Sequence, residues 1–307
     1  MNIEVKKKDN INYFSFFATG TNWIVKVDPI GPNLFDSLKN KIEQTVVPFE
    51  EQYSRFKDTS LLSQLRNTGE LKNPPEDLLT MIDLGIKLNK ISEGHFNLAI
   101  GNVLESKGYD KDYSFKETKE TNKNEDWLLE KNDSILKIKK GTQLDFGSFG
   151  KGFLADILHN ALLNDYGEVL INAGGDIRYT NKSKIQKKFV LENPFDPSQY
   201  IGTIELESGA IASSSTNRRM WKDQSTGKIF THLSSFKSEE ELSGEKILAL
   251  YTQAETCIIA DAAATTLFIS PSHLHAKIET ELNVNFLIVL ENGKFFKSKN
   301  YSGILNS

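Results

Sequence analysis

Asp145 to Asp156 reads DFGSFGKGFLAD. The apolar run Leu144 to Phe146 predicts a short strand that a carboxylate closes. Gly147, Gly150 and Gly152 punctuate a turn, and Lys151 stands at the head of a helix. That helix carries Leu154, Ile157, Leu158, Ala161 and Leu162 on one face, the spacing of an amphipathic α-helix, and Gly167 is placed to end it. A second tight turn follows in INAGGDIR, Ile171 to Arg178. Glycine-rich strand-to-helix turns free backbone N–H groups to face an anion, and a helix N-terminus adds partial positive charge. These two turns predict a phosphorylated small molecule as the ligand.

Outward from that segment, Ile11 to Ala18 and Trp23 to Val27 read as two strands hinged at Thr19-Gly20-Thr21. Phe35, Leu38, Ile42 and Val46 predict a helix, and a second starts after Pro74-Pro75, with Met81, Leu84, Leu88 and Ile91 as its stripe and Gly94 as its stop. Between them, Asp58 or Thr59 could cap a short helix. Trp127 to Leu129 and Ile135 to Lys139 predict a hairpin. Val169 to Asn172, Lys187 to Glu192, Gly202 to Leu206, Ile247 to Tyr251 and Val284 to Leu290 read as strands, and Ile258 to Ile269 as a helix. Tyr109 to Asp126 is charged and poor in aliphatic residues, a surface loop within one domain spanning 1–307. Strands and helices mix without strict alternation, so the fold class is α+β, with mixed or antiparallel sheets flanked by helices. No GxGxxG follows the first strand, which removes a Rossmann dinucleotide fold. Asp145-Phe146-Gly147 has no HRD loop upstream and no VAIK-type lysine, which removes a kinase.

The chain has 307 residues, enough for a substantial core, and a net charge of −4 that argues against nonspecific nucleic-acid binding. Its single cysteine, Cys257, allows no intrachain disulfide and reads as a small buried apolar residue. The N-terminus MNIEVKKKDN lacks the apolar core of a signal peptide, and no apolar stretch is long enough to span a membrane. The expectation is a cytoplasmic protein, or a periplasmic or membrane-anchored one if a leader has been removed.

Four constellations could carry chemistry. Asp145 and Lys151 could meet a ligand ring or ribose and a phosphate; equally, they fit a dipole-stabilising acid and a solvated lysine. Asp261 and Thr265 lie four apart in ADAAATTLF, so a carboxylate and a hydroxyl can converge as hard donors for Mg²⁺; the other reading is a cap above a tightly packed helix. AIASSSTNRR, Ala210 to Arg219, offers hydroxyls and guanidinium groups that are good phosphate donors; the other reading is a polar surface loop. His232 could take a proton from a hydroxyl nucleophile or be structural. His273 and His275 have no partner at metal-ligand spacing and read as surface residues.

Taken in order, these segments resemble the ApbE family, flavin transferases that use FAD to attach FMN to proteins. ATGTNWIVKV (Ala18 to Val27) is similar to the family's MGT segment, and SRFKDTSLLSQLRN (Ser54 to Asn67) to its S-x-[FW] turn. GHFNLAIG (Gly94 to Gly101) is similar to G-x-F-D-P-T-V-G. DFGSFGKGFLAD is similar to D-L-G-x-x-A-K-G-x-x-x-D, and INAGGDIR to N-x-G-G-D-I-R. AIASSSTNRR resembles A-x-A-T-S-G, His232 the histidine of H-I-I-D-P, and ADAAATTLF the segment A-D-A-L-A-T-A-L-F.

The resemblance implies an ApbE-like (T-fold-like) architecture with the ligand cleft between two lobes. It implies Mg²⁺ at Asp261 and Thr265, with backbone oxygens of Ser148 and Ala264. It implies FAD contacts from Thr19, Phe56, His95, Phe96, Asn97, Asp145, Lys151, Gly174, Gly175, Asp176, Ser213 and Ser214. Asp261 and His232 take the catalytic positions, His232 for proton transfer or acceptor handling. The implied partner is an acceptor protein with a Thr/Ser flavinylation motif; the implied reaction attaches FMN through a phosphoester and releases AMP. Hydrolysis of FAD to FMN and AMP, or flavin binding without catalysis, are the alternatives. Several positions depart from the family pattern: Leu-Ser-Ser-Phe follows His232, Asn97 replaces an aspartate, Ser213-Ser214-Ser215 replaces threonine-serine-glycine, and Gly150 stands where alanine is common. Bacterial members often carry a lipoprotein signal, which this chain does not show.

Overall fold

The computed structural model describes residues 1–8, 11–112, 114–118, 125–216, 220–222, 229–231, 234–237 and 246–305. Its spine is a nine-stranded sheet. In spatial order the strands are Glu4–Lys8, Ile11–Ala18, Thr21–Val27, Glu168–Ala173, Asp176–Asn181, Ser208–Ser215, Ile247–Ala254, Asn285–Leu290 and Phe295–Lys297. Every neighbouring pair is antiparallel, and spatial order follows chain order, with helices and smaller sheets inserted between strands.

The side-chain period of two explains how both faces of this sheet are covered. Trp23, Val25 and Val27 pair with Ala173, Ile171 and Val169, and all six are buried on one face. Across the sheet, Ala210, Ala212, Leu250, Phe286 and Ile288 join the same core, while the alternating Ile211, Ala249, Tyr251, Leu287 and Val289 enter a second one. The first face is covered by the helices Phe35–Tyr53, Gly150–Leu163 and Cys257–Phe268. The second is covered by a three-stranded sheet of Lys187–Glu192, Tyr200–Leu206 and Ile304–Leu305, which supplies Phe189, Leu191, Ile204 and Leu206. The architecture is α+β, as the mixed order of elements predicts.

Several elements differ from their sequence reading. Leu144 to Phe146 is not a strand; it carries no regular structure, and the Asp145 N–H donates to the Leu98 carbonyl at 2.9 Å. INAGGDIR is not a strand-to-helix turn but a hairpin between Glu168–Ala173 and Asp176–Asn181. Gly174 at φ +68° and Gly175 at φ +113° make that turn possible, and a Cβ on Gly174 would lie 2.2 Å from Thr21 Oγ1. The stretch from Ala210 is strand rather than loop up to Ser215, inside Ser208–Ser215; Asn217 to Arg219 lie outside the described residues. Its small side chains are accommodated because neighbouring strands pair on both sides.

The short helix is Leu61–Thr68, and its cap is Ser60, whose side chain accepts the Ser63 N–H, not Asp58 or Thr59. The helix after the glycine turn ends at Leu163, and Gly167 instead donates its N–H to Asp28. The expected hairpin is present as Leu128–Asn132 with Ile135–Ile138, and Glu70–Lys72, unread in the sequence, adds to it as a third strand. His275 is half-buried rather than a surface group, edge-on to Phe286 and 3.2 Å from the Ser270 carbonyl. The described residues of the Tyr109–Asp126 stretch carry no helix or strand. No helix among the described residues is long and apolar enough to cross a membrane.

Candidate active site

The helices Gly150–Leu163 and Cys257–Phe268 pack so closely that a Cβ on Gly152 would sit 2.4 Å from the Cys257 carbonyl oxygen and 2.9 Å from Asp261 Cβ. Glycine is needed there for the approach itself. The closeness places Lys151 against Asp261. Lys151 Nζ lies 3.2 and 3.4 Å from the two carboxylate oxygens of Asp261 and 3.0 Å from Asp176 Oδ2. The Gly152 N–H donates to Asp261 Oδ2 at 3.1 Å. Asp176 enters from the hairpin turn, and its other oxygen accepts the Ser213 N–H at 3.4 Å. Both carboxylates are buried. Burial and then the negative charge of Asp176 push the Asp261 carboxyl well above the usual range, against the opposing pull of Lys151.

One turn along from Asp261, Thr265 Oγ1 donates to the Ser148 carbonyl at 3.3 Å, in the turn ahead of Lys151. Ser148 Oγ is buried with no hydrogen-bond partner among the described residues. Among those residues there is also no group of three His, Cys, Asp or Glu placed to hold a metal. The available donors are instead a carboxylate, a hydroxyl and a backbone carbonyl, all hard oxygens. That set suits Mg²⁺, which binds through one or two carboxylates and completes its shell with water and phosphate. Ala264, the other residue expected near the ion, is fully buried beside Thr265 in the same helix.

Asp156 holds the second helix in place. Its carboxylate accepts the N–H groups of Cys257 at 2.9 Å and Ile258 at 2.8 Å, and Arg178 Nε lies 3.1 Å away. It thus satisfies orphan donors at the helix start that Thr256, without a side-chain cap bond, leaves open. Burial raises the Asp156 carboxyl, and the two N–H groups and Arg178 oppose that rise. Cys257 is fully buried and its thiol is pushed up by burial, which fits the packing role read from its neighbours.

A second group forms around Asp145. One oxygen accepts the Gly147 N–H at 2.6 Å and the other the Arg55 Nε–H. The buried Arg55 guanidinium carbon lies 4.2 Å from the Phe56 ring centre and 5.3 Å from that of Tyr109, and Arg55 also donates to the Tyr109 carbonyl at 2.8 Å. Phe56 and Tyr109 meet edge to face at 5.8 Å and are both half-buried. A cation between aromatic faces is a stable way to fix a guanidinium.

The hairpin turns at Thr19-Gly20 and Gly174-Gly175 lie at the same end of the sheet, because Trp23 pairs with Ala173. Thr19 is held there at φ +48°, with its N–H on Glu50 at 2.6 Å and its hydroxyl accepting the Trp23 indole N–H at 3.1 Å. Ser213, exposed, and Ser214, buried, reach the same end, and a Cβ on Gly175 would lie 3.6 Å from Ser213 Oγ. The His95–Asn97 side chains are engaged within the fold. His95 Nδ1 pairs with Ser235 Oγ at 3.0 Å, Phe96 stacks on Phe149 with ring centres 6.2 Å apart, and Asn97 Oδ1 accepts the Ala99 N–H at 2.9 Å. His232 lies outside the described residues.

The structure therefore joins Ser148, Lys151, Asp176, Ser213, Asp261 and Thr265 in one cluster. Arg55, Tyr109 and Asp156 were not singled out from the sequence. Asp156 had a readable signal: it stands four residues after Gly152 and so shares its helix face. Tyr109 had none, because only the folded chain brings it to Phe56.

The model of the ApbE family matches residues 19–288, and the chain belongs to that family. It is 26% identical, over 81% of its length and 77% of the relative's, to a protein of Buchnera aphidicola (from Schizaphis graminum) named FAD:protein FMN transferase. Its fold matches the ApbE protein of Thermotoga maritima with a TM-score of 0.78 at 21% identity, covering 94% of this chain and 97% of that one. The flavin transferase ApbE of Vibrio cholerae matches with a TM-score of 0.74 at 17% identity, covering 97% and 98%.

Proposed function

We propose that this chain is an Mg²⁺-dependent FAD:protein FMN transferase, a single catalytic domain that attaches FMN through a phosphoester to a threonine or serine of an acceptor protein. The observation that carries the reading is the buried Asp176–Lys151–Asp261 cluster with the Thr265 hydroxyl and Ser148 carbonyl beside it. Relatives named FAD:protein FMN transferase support the substrate. Asp261, Thr265 and the carbonyls of Ser148 and Ala264 would hold Mg²⁺, which when bound polarises the pyrophosphate and offsets charge on the leaving phosphate.

The acceptor hydroxyl oxygen forms a bond to the phosphorus on the FMN side of FAD. The bond from that phosphorus to the bridging oxygen breaks, AMP departs with the oxygen and its electron pair, and the hydroxyl proton passes to a base. His232 is assigned that base. Catalysis of this kind rests on positioning and charge, and the rigid helix pair supplies both. Asp145, fixed by Arg55, and the turns at Thr19 and Gly174–Asp176 are assigned to FAD.

The test mixes the protein with FAD, Mg²⁺ and an acceptor domain carrying a threonine flavinylation motif. A covalently fluorescent acceptor band, lost on chelation, is the expected result. FMN and AMP in solution without a band would make the chain a pyrophosphatase. Bound, intact FAD would make it a flavin-binding module.

A further inference from the structure

Two buried carboxylates, Asp176 and Asp261, share the Lys151 ammonium. The ammonium stands between them, 3.0 Å from one and 3.2 Å from the other. Their supports differ. Asp261 is backed by the Gly152 N–H and stands one helical turn from Thr265, so it faces the hard-oxygen donors. Asp176 comes from the hairpin of the sheet and is backed by the Ser213 N–H. A divalent cation on Asp261 would repel an ammonium on that same carboxylate; charges at about 4 Å interact by several kcal/mol in a partly screened interior. The lysine then needs a second acid within reach, and Asp176 is that acid.

We infer that Asp176 is a positioning residue, the carboxylate onto which Lys151 withdraws when a divalent cation takes Asp261. The inference rests on the Mg²⁺-dependent reading above. It makes Lys151 a resident competitor for the metal carboxylate and Asp176 the group that relieves the competition. The two residues consequently have opposite effects on metal binding. Without Asp176, the ammonium falls back on Asp261 and opposes the metal. Without Lys151, both carboxylates are left for the incoming cation.

Mn²⁺ is a suitable probe because it prefers the same oxygen donors and is observed directly by electron paramagnetic resonance. Its binding to the 307-residue chain is measured with and without FAD, independent of turnover. Asp176→Asn is expected to weaken binding by about tenfold or more and Lys151→Met to tighten it by about tenfold or more, the lower end of what one screened charge contact supplies. In the Lys151→Met/Asp176→Asn double variant the competitor and its acceptor go together, and affinity returns to at least the wild-type value. That double variant buries one charge pair fewer, so it decides the matter even if Lys151→Met alone fails to fold. Weaker binding in a folded Lys151→Met, or a double variant as weak as Asp176→Asn, would overturn the relay while leaving the metal site standing. Absence of Mn²⁺ binding to the wild type under either condition would overturn the metal reading and the relay with it.

Discussion

Asp261 and Asp145 are both acids beside a cationic partner, yet their surroundings differ. Asp261 is 3% exposed, between two helices that touch at Gly152, and its ammonium partner is shared with Asp176. Asp145 lies outside any helix or strand, and its guanidinium partner serves it while stacked near two aromatic rings. At Asp261 the fold concentrates charge where water is excluded, and charge there acts strongly on phosphate and metal. Around Asp145 both carboxylate oxygens are already engaged, and what faces outward is the half-buried pair Phe56 and Tyr109. The first region is built for electrostatics and the second for shape.

If that contrast holds, removing charge at the first region has the largest effect. Asp261→Ala should reduce Mg²⁺-dependent FMN transfer by about a thousandfold or more, since it removes the carboxylate one helical turn from Thr265, whose hydroxyl meets the Ser148 carbonyl. Steady-state transfer at saturating FAD and Mg²⁺ checks it, and near-wild-type turnover would remove Asp261 from the mechanism.

Asp156 tests whether the helix pair is held together from outside the cluster. Asp156→Ala leaves the Cys257 and Ile258 N–H groups without their acceptor and the Arg178 guanidinium without its ion-pair carboxylate. A loss of about 3 kcal/mol in unfolding free energy is expected, and urea denaturation measures it. Asp156→Asn should recover part of the loss, because its side-chain oxygen can still accept one N–H. Equal damage from both substitutions would show that charge, not hydrogen bonding, fixes the helix.

The contrast also explains what was legible in sequence. Asp261 and Thr265 lie four apart on one helix and Lys151 stands at the head of another, so local spacing offered them as candidates, whereas Ser148 came only from the family resemblance. The Lys151–Asp176–Asp261 contacts were not announced, because hairpin and helix meet only through sheet packing. Lys151 read locally as a phosphate ligand, whereas its ammonium is engaged by two carboxylates. The Gly174-Gly175 turn was recognised as a turn but misassigned in type: a glycine pair suits a hairpin as well as a helix entry, and only the following Asp176–Asn181 pairing decides. Ser208–Ser215 was hidden because alanine and serine carry little strand signal; its neighbours in the sheet supply the stability its own side chains do not.

A pH measurement separates the rear of the first region from its front. His159 is fully buried on the Gly150–Leu163 helix and pairs with Thr180 Oγ1 at 3.1 Å. Burial, reinforced by the Arg178 charge, lowers its pKa from 6.5 to about 4, so the fold holds the ring neutral. The unfolded chain takes up a proton below pH 6.5 while the folded chain does not. This contribution is therefore intact above pH 6.5 and is lost as pH falls from there toward 4, amounting to about 2 kcal/mol at pH 5. His159→Gln should flatten that part of the stability profile relative to wild type, as measured by urea unfolding at pH 7 and pH 5. An unchanged slope would place the ring in a more hydrated setting than its burial indicates.

The smallest effect belongs to the second region, where shape rather than charge is at stake. The Tyr109 carbonyl receives Arg55, and the Tyr109 ring stands edge-on to Phe56. Tyr109→Ala keeps the carbonyl, and with it the hold on Arg55 and Asp145, but removes the ring. If the pair forms a wall for a planar ligand, FAD affinity should fall about fivefold to tenfold, the worth of one aromatic contact, with transfer at saturating FAD little changed. Tyr109→Phe should bind FAD as wild type does, because the ring and not the hydroxyl makes the contact. Fluorescence titration of FAD measures both. Unaltered affinity in Tyr109→Ala would mean that the aromatic pair serves only to clamp Arg55, and the second region would then be, like the first, a device for holding charge.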